Sequence, residues 1–193
     1  RVTPEAVVFP AGSADITALV NYVRESKHSG IPLSLTPRSA GTDMTGGPLN
    51  DSIILDITRH FNRIKHIGKH SATVEPGVMY RNFENETLKH KLFFPSYPAS
   101  KMLASVGGIV ANNAGGEKSL RYGKTENYVE ALKVILQDGN EYTFKPLNRE
   151  QLSRKLKLHT FEGEVYRKMQ ALITKYNEDI QKVDYSSLED IKE

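Results

Sequence analysis

The sequence predicts a mixed helix-and-strand protein of two lobes sharing a cleft. Three observations lead there: a β-α-β pattern in the first 57 residues, a hairpin signal at Asp138-Gly139, and two dissimilar glycine-rich blocks holding half of the 14 glycines. The blocks are Pro37-Arg38-Ser39-Ala40-Gly41-Thr42-Asp43-Met44-Thr45-Gly46-Gly47 and Gly107-Gly108-Ile109-Val110-Ala111-Asn112-Asn113-Ala114-Gly115-Gly116. No repeat or low-complexity tract interrupts the chain, so residues 1–57 are read as a first α/β lobe and 58–193 as a second lobe ending in a helix.

Val7-Val8-Phe9 is a short strand-forming run. Ser13 reads as a helix cap, followed by Ile16, Leu19, Val20 and Val23 at helical spacing up to Gly30. Leu33 to Thr36 predicts a second strand feeding the first glycine block, and Ile53 to Ile57 a third leaving it. A loop at the C-terminal end of a strand in such a unit is a common ligand position. Ile64 to Ile67 and Ala72 to Glu75 predict short strands ending at the Pro76-Gly77 turn. A helix with Tyr80, Phe83 and Leu88 facing inward is expected next. Glu130 to Gln137 and Glu141 to Phe144 flank Asp138-Gly139 as the arms of an antiparallel hairpin. From Gly163, the positions Val165, Met169, Leu172, Ile173 and Tyr176 predict a helix, and the charged tail from Gln181 is expected to fray.

Composition excludes several classes. The 193 residues, 38% hydrophobic and 25% charged, suffice for an ordinary core, and no apolar run approaches the ~18 residues of a membrane span. The absence of cysteine removes disulfides, thiolate nucleophiles, thiolate zinc sites and cysteine-ligated iron–sulfur clusters from these residues. A net charge of +3, dispersed among alternating acids and bases, lacks the clustered basic face that nucleic acid requires. The chain starts at Arg1 with no charged-then-apolar leader, so no signal peptide is expected and the sequence reads as an excised piece.

The glycine blocks carry the chemistry. Glycine permits positive φ and close approach, so loops of Gly with Thr, Ser and Asn present backbone N–H groups suited to a pyrophosphate. The ordinary alternative for the first block is a surface loop. Against it stand the position after an apolar strand and the added hydrogen-bonding groups of Thr42, Asp43 and Thr45. For the second block the alternative is tight packing of small residues; the same residues would let a flat ring lie on the backbone. Neither block has the spacing of a dinucleotide-binding fingerprint. Gly123-Lys124-Thr125 imitates the end of a P-loop, but Lys118 stands where that motif needs glycine. His66 and His70 are four apart with His60 nearby, yet alternation through Ile64 to Ile67 turns the imidazoles to solvent and argues against a metal. His28, His90 and His159 have no apparent partner. No Ser-His-Asp order or carboxylate pair stands out, so a self-contained hydrolase is unsupported.

An ordered series of motifs resembles a known family: Val8-Phe9-Pro10, Thr36 to Thr42 with Gly46-Gly47, Leu55-Asp56, Val74-Glu75-Pro76-Gly77-Val78, Pro98-Ala99-Ser100, Val106-Gly107-Gly108, Ala111 to Gly116, Tyr122-Gly123-Lys124-Thr125 and Asp138-Gly139. From about Val7 to Phe144 the chain resembles the FAD-binding domain of the vanillyl-alcohol oxidase and p-cresol methylhydroxylase (PCMH) superfamily. It is most similar to the flavin dehydrogenases of D-lactate, glycolate and D-2-hydroxyglutarate, particularly large ones with a further iron–sulfur region.

The resemblance implies an α+β fold, a two-lobed PCMH-type FAD-binding domain incomplete at its C-terminus. It places amides of Pro37, Arg38, Ser39, Ala40, Gly41, Thr42 and Asp43 toward the pyrophosphate, with Thr45 and Gly46 close by. Pro98, Ala99 and Ser100, then Ser105, Val106, Gly107 and Gly108, then Ala111, Asn112, Asn113, Ala114 and Gly115 would line the adenosine, ribityl and ring portions. Tyr122 and Gly123 would complete that wall. No catalytic residue is assigned, because the family's cap domain, with its catalytic His and acidic residues, has no counterpart after Phe144. The expected reaction of the parent enzyme is hydride transfer from C2 of a small 2-hydroxy acid to flavin N5, with the electron acceptor left open. An iron–sulfur cluster could lie only in a missing downstream region.

Departures from the family pattern carry their own expectations. Ser39 and Ala40 stand where many members have glycine, which requires negative φ there. Asp43 stands where Ser or Gly is common, so its carboxylate would weaken diphosphate binding unless it points away or caps a turn. No His occurs in the first block to tether a flavin, so FAD is expected to be noncovalent. A sugar or alcohol oxidase of the same superfamily, which would form peroxide rapidly, and a noncatalytic nucleotide-binding module are the alternatives. The expected location is cytoplasmic, with any membrane association peripheral.

Overall fold

The computed structural model describes residues 2–182. The chain divides into two compact units, Arg1–Val129 with Ile135–Glu141, and Glu130–Val134 with Tyr142–Glu193. The 57/58 lobe boundary read from the sequence falls inside the first unit and stays a proposal.

The first unit opens with β1 (Ala6–Val8), β2 (Leu35–Arg38) and β3 (Ile53–Asp56), a parallel sheet in the order β1-β3-β2. Its central strand carries the β-branched run Ile53-Ile54 followed by Leu55, all buried, as a strand covered on both faces requires. The crossover helix α1 (Ser13–His28) joins β1 to β2. Ser13 is its first residue rather than its cap. Gly12 occupies the cap position, the Asp15 carboxylate accepts from the Ala11 and Gly12 amides, and the Ser13 hydroxyl donates to Glu141. β2 starts two residues later than Leu33, because the Ser34 amide donates to the Ser52 hydroxyl and the Leu33 amide turns back to Ile31.

The hairpin of β4 (Ile64–Ile67) and β5 (Ala72–Val74) is antiparallel, with a register shift between Ile64 and His66. His60, His66 and His70 are all exposed. After the Pro76-Gly77 turn, helix α2 (Tyr80–Lys89) buries Tyr80, Phe83 and Thr87. The expectation for Leu88 is corrected: it is 52% exposed, and Thr87 takes the inward position one residue earlier. The spacing 80, 83, 87 keeps one face, whereas Leu88 lies a further ~100° round the helix. Thr87 can be buried because its hydroxyl donates to the Glu84 carbonyl.

The unit's core gathers Val78, Tyr80, Phe83, Tyr97, Ala104, Ile109 and Ala114. Tyr80, with no exposed surface, is tilted against Tyr97 at 5.3 Å and donates its hydroxyl to the Phe94 carbonyl at 2.7 Å. Ile109 and Ala114 reach this core from the second glycine block, which contains a short helix, α3 (Val106–Ala111). A further turn, α4 (Ser119–Tyr122), and a 3-10 turn at Thr125–Tyr128 complete this stretch.

The predicted hairpin forms from β6 (Leu132–Ile135) and β7 (Glu141–Phe144), shorter at its first arm than Glu130 to Gln137, with Gly139 at φ +82° in the turn. In the second unit, α5 (Arg149–Leu156) starts on a reciprocal box: the Asn148 side chain accepts from the Gln151 amide and the Gln151 side chain accepts from the Asn148 amide. Helix α6 (Phe161–Lys175) begins at the Thr160 cap, and α7 (Asn177–Gln181) follows. The periodic residues Met169, Leu172 and Ile173 of α6 and Tyr176 at its C-cap lie 43–52% exposed. Most of the tail expected to fray, from residue 183, lies outside the described residues.

Candidate functional site

Strands β2 and β3 run parallel, with Arg38 in register with Asp56, so the first glycine block and the turn after β3 leave the sheet at the same edge. They form one wall of a cleft of about 700 Å³ lined by Arg38, Ser39, Ala40, Gly41, Thr42, Asp56, Thr58, Met79, Ser100 and Leu103. That size lies within the range of small-molecule and cofactor sites.

The first block is an array of unused donors. Among the described residues, the amides of Ser39, Ala40, Gly41 and Thr42 donate to no protein acceptor. Gly41 adopts φ +67°, the left-handed conformation that lets successive N–H groups converge on one side. A Cβ there would also fall 2.4 Å from the Arg38 guanidinium, which folds over Gly41 and reaches the Pro48 carbonyl at 3.4 Å. Ser39 and Ala40 do not need positive φ. Arg38 is the cation on the cleft wall, so both charge and free amides favour an anion.

Asp43 caps a turn. One oxygen, Oδ2, accepts from the Thr45 amide (3.1 Å), the Thr45 hydroxyl (2.7 Å) and the Gly47 amide (2.9 Å). The Thr45 hydroxyl, and then the Gly47 amide, hold its carboxyl below the ordinary carboxylate value. Asp56, a cleft residue that the sequence reading missed, repeats the pattern: its Oδ1 accepts from the Thr58 amide at 2.8 Å and the Thr58 hydroxyl at 2.6 Å. The shared Asp-x-Thr triplet was the available signal.

The second block is divided in its roles. Ser105, 1% exposed, caps α3 by accepting from the Gly108 amide at 3.4 Å, and its hydroxyl meets that of Ser39 in the first block. The Val106 and Gly107 amides donate to Val78 and Pro76, each at 2.8 Å. The start of α3 is thereby docked on the 76–78 segment. Gly107 is accounted for by that approach, since a Cβ would fall 2.4 Å from the Pro76 Cβ. At Gly108 the nearest obstacle is the Ser105 hydroxyl at 3.3 Å.

Of the second-block candidates, Ser100 lines the cleft directly and Ser105 touches it through Ser39. Pro98 and Ala99 form the turn before Ser100. Ala111 and Asn112 are exposed. Asn113 takes a left-handed φ of +43°, and its side chain bonds both the amide and the carboxylate of Glu126. Ala114 is buried in the core, its carbonyl accepting from the Thr125 hydroxyl at 2.7 Å. Gly115 lies against Ser119, Gly123 accepts from Ser96, and the Tyr122 carbonyl accepts from the Tyr128 hydroxyl. The lining of this cleft does not include residues 111–115, Tyr122 or Gly123. Among the described residues, no His, Cys, Asp and Glu group is arranged to hold a metal, and no helix is long and apolar enough to cross a membrane.

Residues 4–145 match the FAD binding domain family. The chain is similar to D-2-hydroxyglutarate dehydrogenase of Escherichia coli, at 32% identity over 168 residues covering 86% of this chain and 16% of that protein. It is also similar to glycolate oxidase subunit GlcD of Bacillus subtilis (31% identity, 71% and 29% covered) and D-lactate dehydrogenase of Archaeoglobus fulgidus (32%, 69% and 29%). The chain thus spans 16–29% of the length of these curated relatives. Among solved structures, 6-hydroxy-D-nicotine oxidase of Arthrobacter nicotinovorans shares the fold at TM-score 0.66 and 22% identity, with 79% of this chain and 33% of that one covered. Chitooligosaccharide oxidase does so at TM-score 0.64 and 16% identity, with 80% and 32% covered.

Proposed function

The chain belongs to the FAD binding domain family, and from that premise we propose that it is the cofactor-binding part of a flavin-dependent dehydrogenase of D-2-hydroxy acids. The observation that carries the site assignment is the run of free amides from Ser39 to Thr42 beside Arg38, at the edge where β2 and β3 both end. The residues present fit the group. Four undonated N–H groups and a guanidinium suit a diphosphate, while Met79 and Leu103 supply apolar wall. When bound, the flavin supplies the two-electron acceptor for oxidation of a hydroxyl-bearing carbon.

The chain's own contribution is to bind and orient. Ser39 to Thr42 would hold the diphosphate through backbone donors, so no side-chain entropy is lost in making those contacts. Asp43 and Asp56 turn their hydrogen-bonding oxygens into their own loops. Ser105 to Gly108 and Ala111 to Gly115 with Tyr122 and Gly123 remain proposed contacts for the rest of the cofactor. Holding is noncovalent in this reading, since residues 37–47 contain no His. The substrate class is supported by relatives named for D-2-hydroxyglutarate, glycolate and D-lactate. A cytoplasmic location, with any membrane association peripheral, belongs to the same reading.

Two measurements test it. FAD added to the chain and followed through desalting by its visible absorption should be retained, and Arg38→Ala should lower that retention. In the whole polypeptide, anaerobic addition of D-2-hydroxyglutarate, D-lactate or glycolate should bleach the flavin. Bleaching by none of them would sink the substrate assignment, and rapid peroxide formation would favour an oxidase instead.

A further inference from the structure

The carboxylate of Asp43 stands in an anion-binding loop, and it forms no ion pair among the described residues. The hydrogen bonds from the Thr45 amide, the Thr45 hydroxyl and the Gly47 amide all converge on Oδ2. Outside Ser39, which bonds Ser105 and Pro76, and Pro48, which accepts from Arg38, few contacts restrain this loop. Met44 is 99% exposed, Leu49 is exposed, and the one backbone bond closing the segment runs from the Leu49 amide to the Gly46 carbonyl at 3.0 Å. A loop with so few apolar contacts takes its shape from its internal hydrogen bonds.

We propose that Asp43 is a positioning residue with two opposed effects on one ligand: its hydrogen bonds hold the loop open with the amides of Ser39 to Thr42 free, while its negative charge weakens the diphosphate bound there. The proposal rests on the FAD reading above. Two amides, those of Thr45 and Gly47, donate to the carboxylate and so cannot turn to neighbouring carbonyls. The four amides of Ser39 to Thr42, on residues that line the cleft, have no intramolecular acceptor to give up, which lowers the cost of binding. The charge acts through solvent at several ångströms and is therefore modest and screened by salt.

The two effects separate by substitution. In Asp43→Asn the amide oxygen can accept the same three bonds, its NH2 replaces the unbonded oxygen, and the charge is gone. Asp43→Ala removes both cap and charge. FAD, and inorganic pyrophosphate as a second probe, are titrated into the 193-residue chain and both variants at low and high salt. At low salt D43N should bind about threefold more tightly than the parent, the size of one solvent-screened unit charge, and should converge with it at high salt. D43A should bind about fivefold more weakly than D43N at both salts, the size of a lost cap. Equal affinities for D43N and D43A, or no gain in D43N at low salt, overturn the proposal while leaving the cofactor reading intact. If none of the three proteins binds FAD or pyrophosphate, the cofactor reading is overturned and this proposal with it. Should D43A fail to fold, the salt-dependent comparison of D43N with the parent decides the charge effect, and Thr45 and Gly47 amides that exchange in the parent at the rate of an unprotected chain would overturn the cap.

Discussion

The hydroxyl of Ser39, in the first glycine block, is hydrogen-bonded to that of Ser105, 66 positions later in the second. Ser105 also accepts from the Gly108 amide, and Ser39 lies 3.4 Å from the Pro76 carbonyl. The polarity that uses both hydroxyl protons runs from Ser105 to Ser39 and from Ser39 to Pro76. The pair ties the free-amide loop to the α3 cap, and a glycine at position 39 could not make it.

Removing either hydroxyl should therefore expose a coupling. Ser105→Ala and Ser39→Ala are each expected to lower unfolding free energy by about 1 kcal/mol. The double variant should cost less than the sum, because the two share one bond. Urea denaturation of the four proteins measures this; strict additivity would show that the bond contributes nothing.

Gly107 and Gly108 are neighbours with opposite tolerances. Gly107→Ala forces a Cβ into Pro76, whose Cβ and carbonyl oxygen would lie 2.4 and 2.7 Å away. A loss of about 2 kcal/mol is expected from overpacking. Gly108→Ala meets the Ser105 hydroxyl at 3.3 Å and gains helix propensity, so its stability should stay within about 0.5 kcal/mol of the parent. Thermal melts of the two variants separate packing glycines from spare ones; equal losses would refute the distinction.

Gly41→Ala tests the left-handed turn. At φ +67° an L side chain costs roughly 1–2 kcal/mol, and the Arg38 guanidinium must move as well. Retained FAD should fall more than the melting temperature alone explains. Unchanged flavin retention would mean that the shape of the amide array does not matter.

Glu75 gives a pH signature. Burial pushes its carboxyl up, but the Arg63 guanidinium, the Arg63 amide and Lys65 outweigh that, and its pKa lies below the ordinary 4.5. The ionised form is thus favoured in the folded state. Its contribution is complete above the unfolded value near 4.5 and is lost as pH falls through the lower folded value. Glu75→Gln should flatten the melting-temperature profile in that acid window and lie below the parent at pH 7. The Arg63 and Lys65 side chains are 70% and 56% exposed, so solvent screening keeps the loss at pH 7 to about 1 kcal/mol. Parallel profiles would assign the acid sensitivity to other groups.

Much of this is legible in the sequence. Alternating and β-branched runs locate β3, β4 and β7 nearly to the residue, although of the three only β3 has buried residues. The ordered motifs from Val8 to Asp138-Gly139 lead to the family, and the negative φ expected at Ser39 and Ala40 agrees with the structure. Other features were less readable. Leu88 and Thr87 differ by one helical position, and hydrophobicity favoured the wrong one. The Asn148 and Gln151 box that starts α5 was present in the sequence but overlooked. Met169, Leu172, Ile173 and Tyr176 show the helical period, yet periodicity cannot tell whether a partner covers the stripe.

For the site, the sequence by itself determined which residues could serve: glycines, small residues and an arginine after a parallel strand, with cysteine chemistry excluded. Those are properties of composition and local conformation. Only the tertiary structure decided how the donors are spent. The amides of Ser39 to Thr42 are left free, those of Val106 and Gly107 are taken by Val78 and Pro76, and Asp43 is folded into its own turn. A hydrogen bond is made or left open by where distant segments of chain meet, and the meeting of Ser39 with Ser105 is set by packing across 66 residues rather than by either motif alone.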